Sequence, residues 1–343
     1  MKIILKCFIG AVLFASVGLT QINNEGANAY RNGDYAKAAK LFKKYCDSGD
    51  MESCAFLGFM YQDGEGVKQD YAKAAQLFKK VCDKEEMMGC YGLAYIYHNG
   101  NGVKQSYTKA AELFKKACDG GQADSCNDLG FMYAEGNGVK QDYVKTAELY
   151  KRACSGGYVD SCYSLGGMYY NGEGVKQDYV KSVEFYKKAC DKGEMAGCND
   201  LAYMYYGGTG VKREPAKGAE LFKKACDGGY MNSCNDLGIL YKDGNGVKQN
   251  YAKAAQLFKK VCDSGETLSC SNLGEMYQDG KGVQRDPAKA IQLYTKACDD
   301  KKALGCYNLG RVYYGGYGVK QDRTRAARLF QKACDGGDAK ACY

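Results

Sequence analysis

A Cys-x7-Cys pair recurs along this chain every 36 residues: Cys46 with Cys54, Cys82 with Cys90, Cys118 with Cys126, Cys154 with Cys162, Cys190 with Cys198, Cys226 with Cys234, Cys262 with Cys270, Cys298 with Cys306, and Cys334 with Cys342. These pairs take up 18 of the 19 cysteines; Cys7 is left over. Thiols at such spacing do one of two things. They staple neighbouring segments, or they exchange electrons. The spacing is not the Cys-x-x-Cys of a redox centre, so structural bridges are expected. Eighteen cysteines permit very many pairings, and uniform spacing favours the local one. Closing such a short loop is worth about 2.5 kcal/mol in the chain-entropy model.

Two further groups carry possible chemistry. The chain contains one Ser-x-x-Lys, Ser106-Tyr107-Thr108-Lys109, the spacing of an acyl-transfer nucleophile and its basic partner. Sister units read Asp-Tyr-Ala-Lys there, so Ser106 is expected to replace a helix cap and Lys109 to be a repeated surface lysine. Lys-Thr-Gly and Ser-Asp-Asn elements do not occur. His98 is the single histidine, too few for a zinc hydrolase, and equivalent units place Gln62, Ala134, Tyr170 and Lys242 at its position. No catalytic residue, metal or cofactor is assigned.

The elements that hold these residues follow from the period. A repeat of this length means stacked supersecondary units, none able to bury its apolar face alone. The expectation is therefore all-α: a solenoid of about nine helix hairpins forming one domain over residues 21–343. In the unit beginning at Cys54, Leu57, Met60 and Tyr61 share one face of a first helix. Glycines close that helix, and a second begins after Asp70, a strong cap. Ser106, Asp142, Asp178, Asn250 and Asp322 recur at this cap. Glu214-Pro215 and Asp286-Pro287 hold the chain's only 2 prolines, both where a helix should start. Tyr30 and Tyr35 stand closer than Tyr61 and Tyr71, so the first unit has a shorter turn, as a terminal cap does.

Comparing units inside the chain separates packing from free positions. Third after each leading cysteine is always Leu, seventh is always Tyr, and sixth is Met, Ile, Leu or Val; these read as core. The first, fifth and eighth vary and share one helix face. Tyr91, Asn127, Tyr163, Asn199, Asn235 and Tyr307 occupy the first position. Tyr95, Phe131, Tyr203, Glu275 and Arg311 hold the fifth, and Tyr170 and Tyr206 the eighth. In tetratricopeptide-type arrays the first helices line a concave groove. There, asparagine amides can clamp an extended peptide and tyrosines add rigid area with a polar tip. These residues are the candidate ligand site.

Lys+Arg number 48 against 40 Asp+Glu. The surplus sits in Lys-Lys pairs near helix ends, such as Lys79-Lys80, and reads as solvated helix faces, not as a nucleic-acid surface. Residues 1–20, with Lys2 and Lys6 before an apolar run to Leu19, read as a signal peptide. No other segment is apolar enough to span a bilayer. Paired cysteines in this number belong outside a reducing cytosol, so a secreted or periplasmic protein is expected, with a peptide, protein or peptidoglycan-related partner and a monomeric state.

The pattern Leu-Gly-x-Met-Tyr-x-x-Gly-x-Gly-Val-Lys-x-Asp-x-x-Lys-Ala-x-x-x-Phe-x-Lys-Ala-Cys resembles the Sel-like subgroup of tetratricopeptide repeats. With Cys-x7-Cys in each unit, the chain is similar to the Helicobacter cysteine-rich protein (Hcp) family. The resemblance covers almost the whole chain. It implies a right-handed superhelix of helix hairpins, one disulfide per repeat, and export. Members described as penicillin-binding proteins or β-lactamases imply a second function, binding or slow hydrolysis of β-lactams.

Overall fold

The computed structural model describes residues 24–337 and 339–342; the expected signal peptide lies outside them. Among the described residues all regular structure is helical. The chain groups into two compact units, one ending at Gln177 and one beginning at Asp178. The first holds α1 (Asn24–Arg31), α2 (Tyr35–Asp47), α3 (Met51–Asp63), α4 (Tyr71–Cys82), α5 (Met87–Asn99), α6 (Tyr107–Asp119), α7 (Ala123–Glu135), α8 (Tyr143–Ser155) and α9 (Val159–Asn171). The second holds α10 (Tyr179–Asp191), α11 (Met195–Gly207), α12 (Pro215–Asp227), α13 (Met231–Asp243), α14 (Tyr251–Asp263), α15 (Leu268–Asp279), α16 (Pro287–Asp299), α17 (Ala303–Gly315), α18 (Arg323–Asp335) and a closing 3₁₀ turn, Ala339–Ala341.

Helix starts obey the sequence. Asp70, Ser106, Asp142, Asp178, Asn250, Asp286 and Asp322 each accept a bond from the amide three residues on. Glu214 makes no such bond, and Pro215 at the first helical position removes one of the amides a cap would satisfy. The first helix of each hairpin begins before its cysteine. Asp50 accepts from the amides of Glu52 and Ser53, so α3 starts at Met51 and carries Cys54 inside its first turns. At its other end Gly64 takes φ 77°, where a side chain would be strained. Two residues on, a Cβ on Gly66 would come within 2.1 Å of the Tyr35 carbonyl oxygen, so hairpins can approach this closely only through glycine.

The core is a column of repeated contacts. The third-position leucines and the sixth-position residues are buried throughout. Gly58 and Gly92 flank the ring of Phe78, which also packs 4.7 Å from Phe59. The seventh-position tyrosines differ from expectation: except for Tyr205 they are half-buried. Seven of these rings, Tyr61, Tyr97, Tyr133, Tyr205, Tyr241, Tyr277 and Tyr313, are shelves for a cation from the next helix. Lys73 lies 5.2 Å over Tyr61, Lys145 4.9 Å over Tyr133, Lys289 4.4 Å over Tyr277 and Arg325 4.2 Å over Tyr313. The hydroxylated rings remain at the boundary because their outer faces carry these charges.

Nine disulfides join residues eight apart, from Cys46–Cys54 to Cys334–Cys342. Beside them the Lys-Lys pairs divide their work. The first lysine of a pair meets the aspartate at the helix end, as in Lys79–Asp83 and Lys259–Asp263, both 2.6 Å. In several repeats the second reaches back to the carbonyl of the first cysteine of the preceding bridge. Lys80 donates to Cys46 O at 3.3 Å, Lys116 to Cys82 O at 3.1 Å and Lys260 to Cys226 O at 3.1 Å. These carbonyls end helices and lack intrahelical partners, and a cation there also meets the negative end of the helix dipole.

Candidate functional site

Three asparagines at the first position prove to be inter-repeat connectors. Asn127 on α7 accepts from Ser161 Oγ on α9 at 2.8 Å, while its Nδ2 donates to Asp128 Oδ1 at 3.1 Å. In the second unit Asn199 accepts from Ser233 Oγ at 2.8 Å and donates to Asp200 at 3.1 Å. Asn235 accepts from Ser269 Oγ at 2.7 Å. Asn199 is 6% exposed, buried deeper than a groove-facing amide would be. The serine just before the next leading cysteine fixes each amide, and the amide in turn aims the neighbouring aspartate. Those second-position aspartates did not figure among the residues picked from sequence.

Around one of them lies a cavity of about 270 Å³ in the first unit. Tyr95 and His98 of α5, Phe114 of α6, Asn127, Asp128 and Phe131 of α7, Tyr150 of α8, and Asp160 and Ser164 of α9 line it, with Tyr158 just before α9. A more open depression of about 460 Å³ adjoins it and shares Phe131, Tyr150 and Ser164. Tyr95, Asn127 and Phe131 are thus brought together as candidates.

The other predicted positions lie elsewhere. Tyr91 is buried, its ring 5.9 Å from Phe114. Tyr163 is half-buried and Tyr170 exposed. Tyr203 is half exposed and donates to Asp236 at 2.6 Å, and Tyr206 accepts from Asn245 at 2.6 Å. Glu275 pairs with Lys242 at 3.5 Å beside a polar cleft, and Arg311 lies 6.0 Å over Tyr307.

Electrostatics single out the first-unit cavity. Loss of hydration pushes the Asp128 carboxyl up to about 7; Asp124 adds to the rise, while bonds from Asn127 and Tyr91 oppose it. Burial also raises Asp124. Tyr150 is pushed up to about 12, first by burial and then by Asp128, Glu135 and Glu173. Tyr158 is raised for the same first reason, with Asp128, Asp160 and Asp124 contributing. Among the described residues no group of three His, Cys, Asp or Glu side chains is placed to hold a metal ion.

The Ser-x-x-Lys residues are already engaged. Ser106 Oγ accepts from the Lys109 amide at 3.4 Å, and Lys109 Nζ lies 5.1 Å over the Tyr97 ring. His98 Nδ1 is 3.1 Å from Asn99 Oδ1, and its ring meets Tyr107 edge-on at 5.2 Å.

The Sel1 repeat model matches the chain nine times between residues 18 and 338. A Helicobacter pylori protein named "Putative beta-lactamase HcpE" is 36% identical over 72 residues, 19% of this chain and 20% of that protein. The chain therefore aligns with only a fifth of that relative's length. Among solved structures, a protective antigen of uropathogenic Escherichia coli strains displaying an SLR fold superposes with a TM-score of 0.83 at 32% identity, covering 88% of this chain and 65% of the antigen. A Sel1 repeat protein from Oxalobacter formigenes gives 0.68 at 24% identity, covering 88% of each chain.

Proposed function

The chain belongs to the Sel1-repeat family, and on that premise we propose that it is a secreted or periplasmic recognition protein that binds an extended peptide segment of a protein or cell-wall partner. The observation that carries this reading is the cavity bounded by Tyr95, Asn127 and Phe131 and its continuation into the open depression beside it. Binding sites are concave, mostly apolar and furnished with a few converging polar groups, and this one combines five aromatic rings with an amide and carboxylates. Disulfides in each repeat suit an oxidising compartment, where a stapled scaffold keeps its groove preformed. The fold supports recognition by its rigidity; the partner's identity comes from the side chains lining the groove.

The test is selection of a random peptide library on the immobilised, disulfide-intact chain. Selected peptides should bind the wild type and lose at least tenfold in affinity against Tyr95→Ala and Phe131→Ala variants with unchanged far-UV circular dichroism. Equal binding by both variants, or no selection above a blocked surface, refutes the reading. A second reading, β-lactam binding or hydrolysis, rests on a relative's name and on family resemblance. Ser106 and Lys109 do not support it, since both side chains serve the local helix start and the neighbouring ring. Intact mass after exposure to a penicillin decides it: an acylated serine restores it, and an unmodified mass removes it.

A further inference from the structure

The first-unit cavity gathers carboxyl groups that no cation among the described residues pairs with. Asp128 lies inside it and Asp160 at its rim, with Asp124 close enough to Asp128 to raise it. Among the described residues neither lysine nor arginine lines the cavity, and none pairs with these three carboxylates. Elsewhere the chain supplies such partners readily. Asp83, Asp119, Asp227 and Asp263 each meet a lysine at 2.6 Å.

The rings tell the same story. Along the outer shelf, tyrosines carry the chain's own cations, as Lys73 over Tyr61 and Lys109 over Tyr97. Inside the cavity, Phe131, Tyr150 and Tyr158 carry no such cation among the described residues. Aromatic faces beside carboxyls that have no cationic partner, in a partly dry space, attract a cation through both ring quadrupole and charge. The second unit shows what a closed version looks like. Tyr203, the counterpart of Tyr95 three repeats on, donates across the groove face to Asp236 at 2.6 Å, whereas Asp128 takes its bonds from Asn127 and Tyr91.

We infer that this cavity is the specificity pocket of the proposed peptide groove and takes the cationic side chain, lysine or arginine, of the bound segment. The inference rests on the peptide-binding reading and narrows it to one residue class. Asp160 supplies countercharge at the rim, Asp128 adds its own as an entering cation favours release of its proton, and Phe131, Tyr150 and Tyr158 supply the ring faces. Asn127 acts as a positioning residue, held by Ser161 and turned toward Asp128.

The experiment uses the full disulfide-bonded chain and the peptides selected from the random library. Lysine or arginine should recur at one position of the selected set. A fluorescein-labelled peptide of that set should bind at least tenfold more weakly when its lysine becomes norleucine or its arginine citrulline. Asp128→Asn should cause a similar loss, and Asp160→Asn, at an exposed position where folding is not at risk, a loss of several-fold. Selected peptides without basic enrichment, or equal binding by the neutralised peptide or by both variants, overturn the cation pocket and leave the groove intact. A library yielding no binders overturns both.

Discussion

Asp128→Asn is expected to stabilise the first unit in neutral and alkaline solution while leaving it close to wild type in acid. The carboxyl stands at about 7 in the folded chain, against about 3.9 in an unfolded one. Between those values the folded state keeps a proton that the unfolded state has released, so wild-type stability is full below about pH 4 and falls as pH rises to 7. At 1.36 kcal/mol per pKa unit the whole effect is about 4 kcal/mol. Water reaches part of Asp128, and screening reduces the expected figure to about 2 kcal/mol. The amide has no proton to lose. The free-energy gap between variant and wild type should therefore widen by about 2–4 kcal/mol from pH 4 to pH 8. Glu52 and Asp63, which burial also raises, are present in both proteins and cancel in the difference. Urea unfolding with disulfides intact, followed by far-UV circular dichroism at several pH values, measures the gap. A gap constant from pH 4 to pH 8 would refute the claim that Asp128 is held neutral by its surroundings.

Two further outcomes follow from the repeat interfaces. Asn199→Ala leaves the Ser233 hydroxyl buried without its 2.8 Å partner and should cost about 1–3 kcal/mol, and a double-mutant cycle with Ser233→Ala should show coupling of about 0.5–3 kcal/mol. Losses that simply add would mean the pair is incidental. Replacing Cys226 and Cys234 together by alanine should lower stability by about 2.5 kcal/mol, the chain entropy released by opening so short a loop, with a more easily unfolded second unit in denaturant titration. No change in midpoint would show that the bridge stabilises little.

The period, the caps and the two proline starts were legible because each is a local consequence of residue type: Asp70 can cap, and Pro215 needs no donor. The sixth-position residues were equally plain, since one helix face must be apolar to be covered. Tyr61 and its equivalents were not. An invariant tyrosine suggests core, yet an amphipathic ring can sit at the boundary when a lysine one helix on covers its face. Asn127, Asn199 and Asn235 looked like groove residues because they vary among units. Their partners lie 34 residues away, and the signal was an in-chain covariation. Each of these asparagines is followed, one repeat later, by a serine before the cysteine: Ser161, Ser233 and Ser269. Where Ala55, Tyr163 or Ser271 stands instead, that later residue is Gly89, Gly197 or Gly305, Tyr91 with Ser125 being the exception. The cavity itself was not legible, because it forms where three hairpins meet.

Local bridging also bears on how the molecule is made. Every disulfide joins a cysteine to the next one along the chain, so from Cys46 onward pairing each thiol with its successor gives the native set. No thiol has to wait for a distant partner, and shuffling of wrong pairs is not required. Each bridge fastens a hairpin to the one before it, and the lysine of that newly fastened hairpin then adds a second bond to a carbonyl at the junction, as Lys80 does at Cys46 and Lys260 at Cys226. Biogenesis can thus proceed as a ratchet, one repeat at a time, in a chain whose length evolution can change by adding or removing whole repeats.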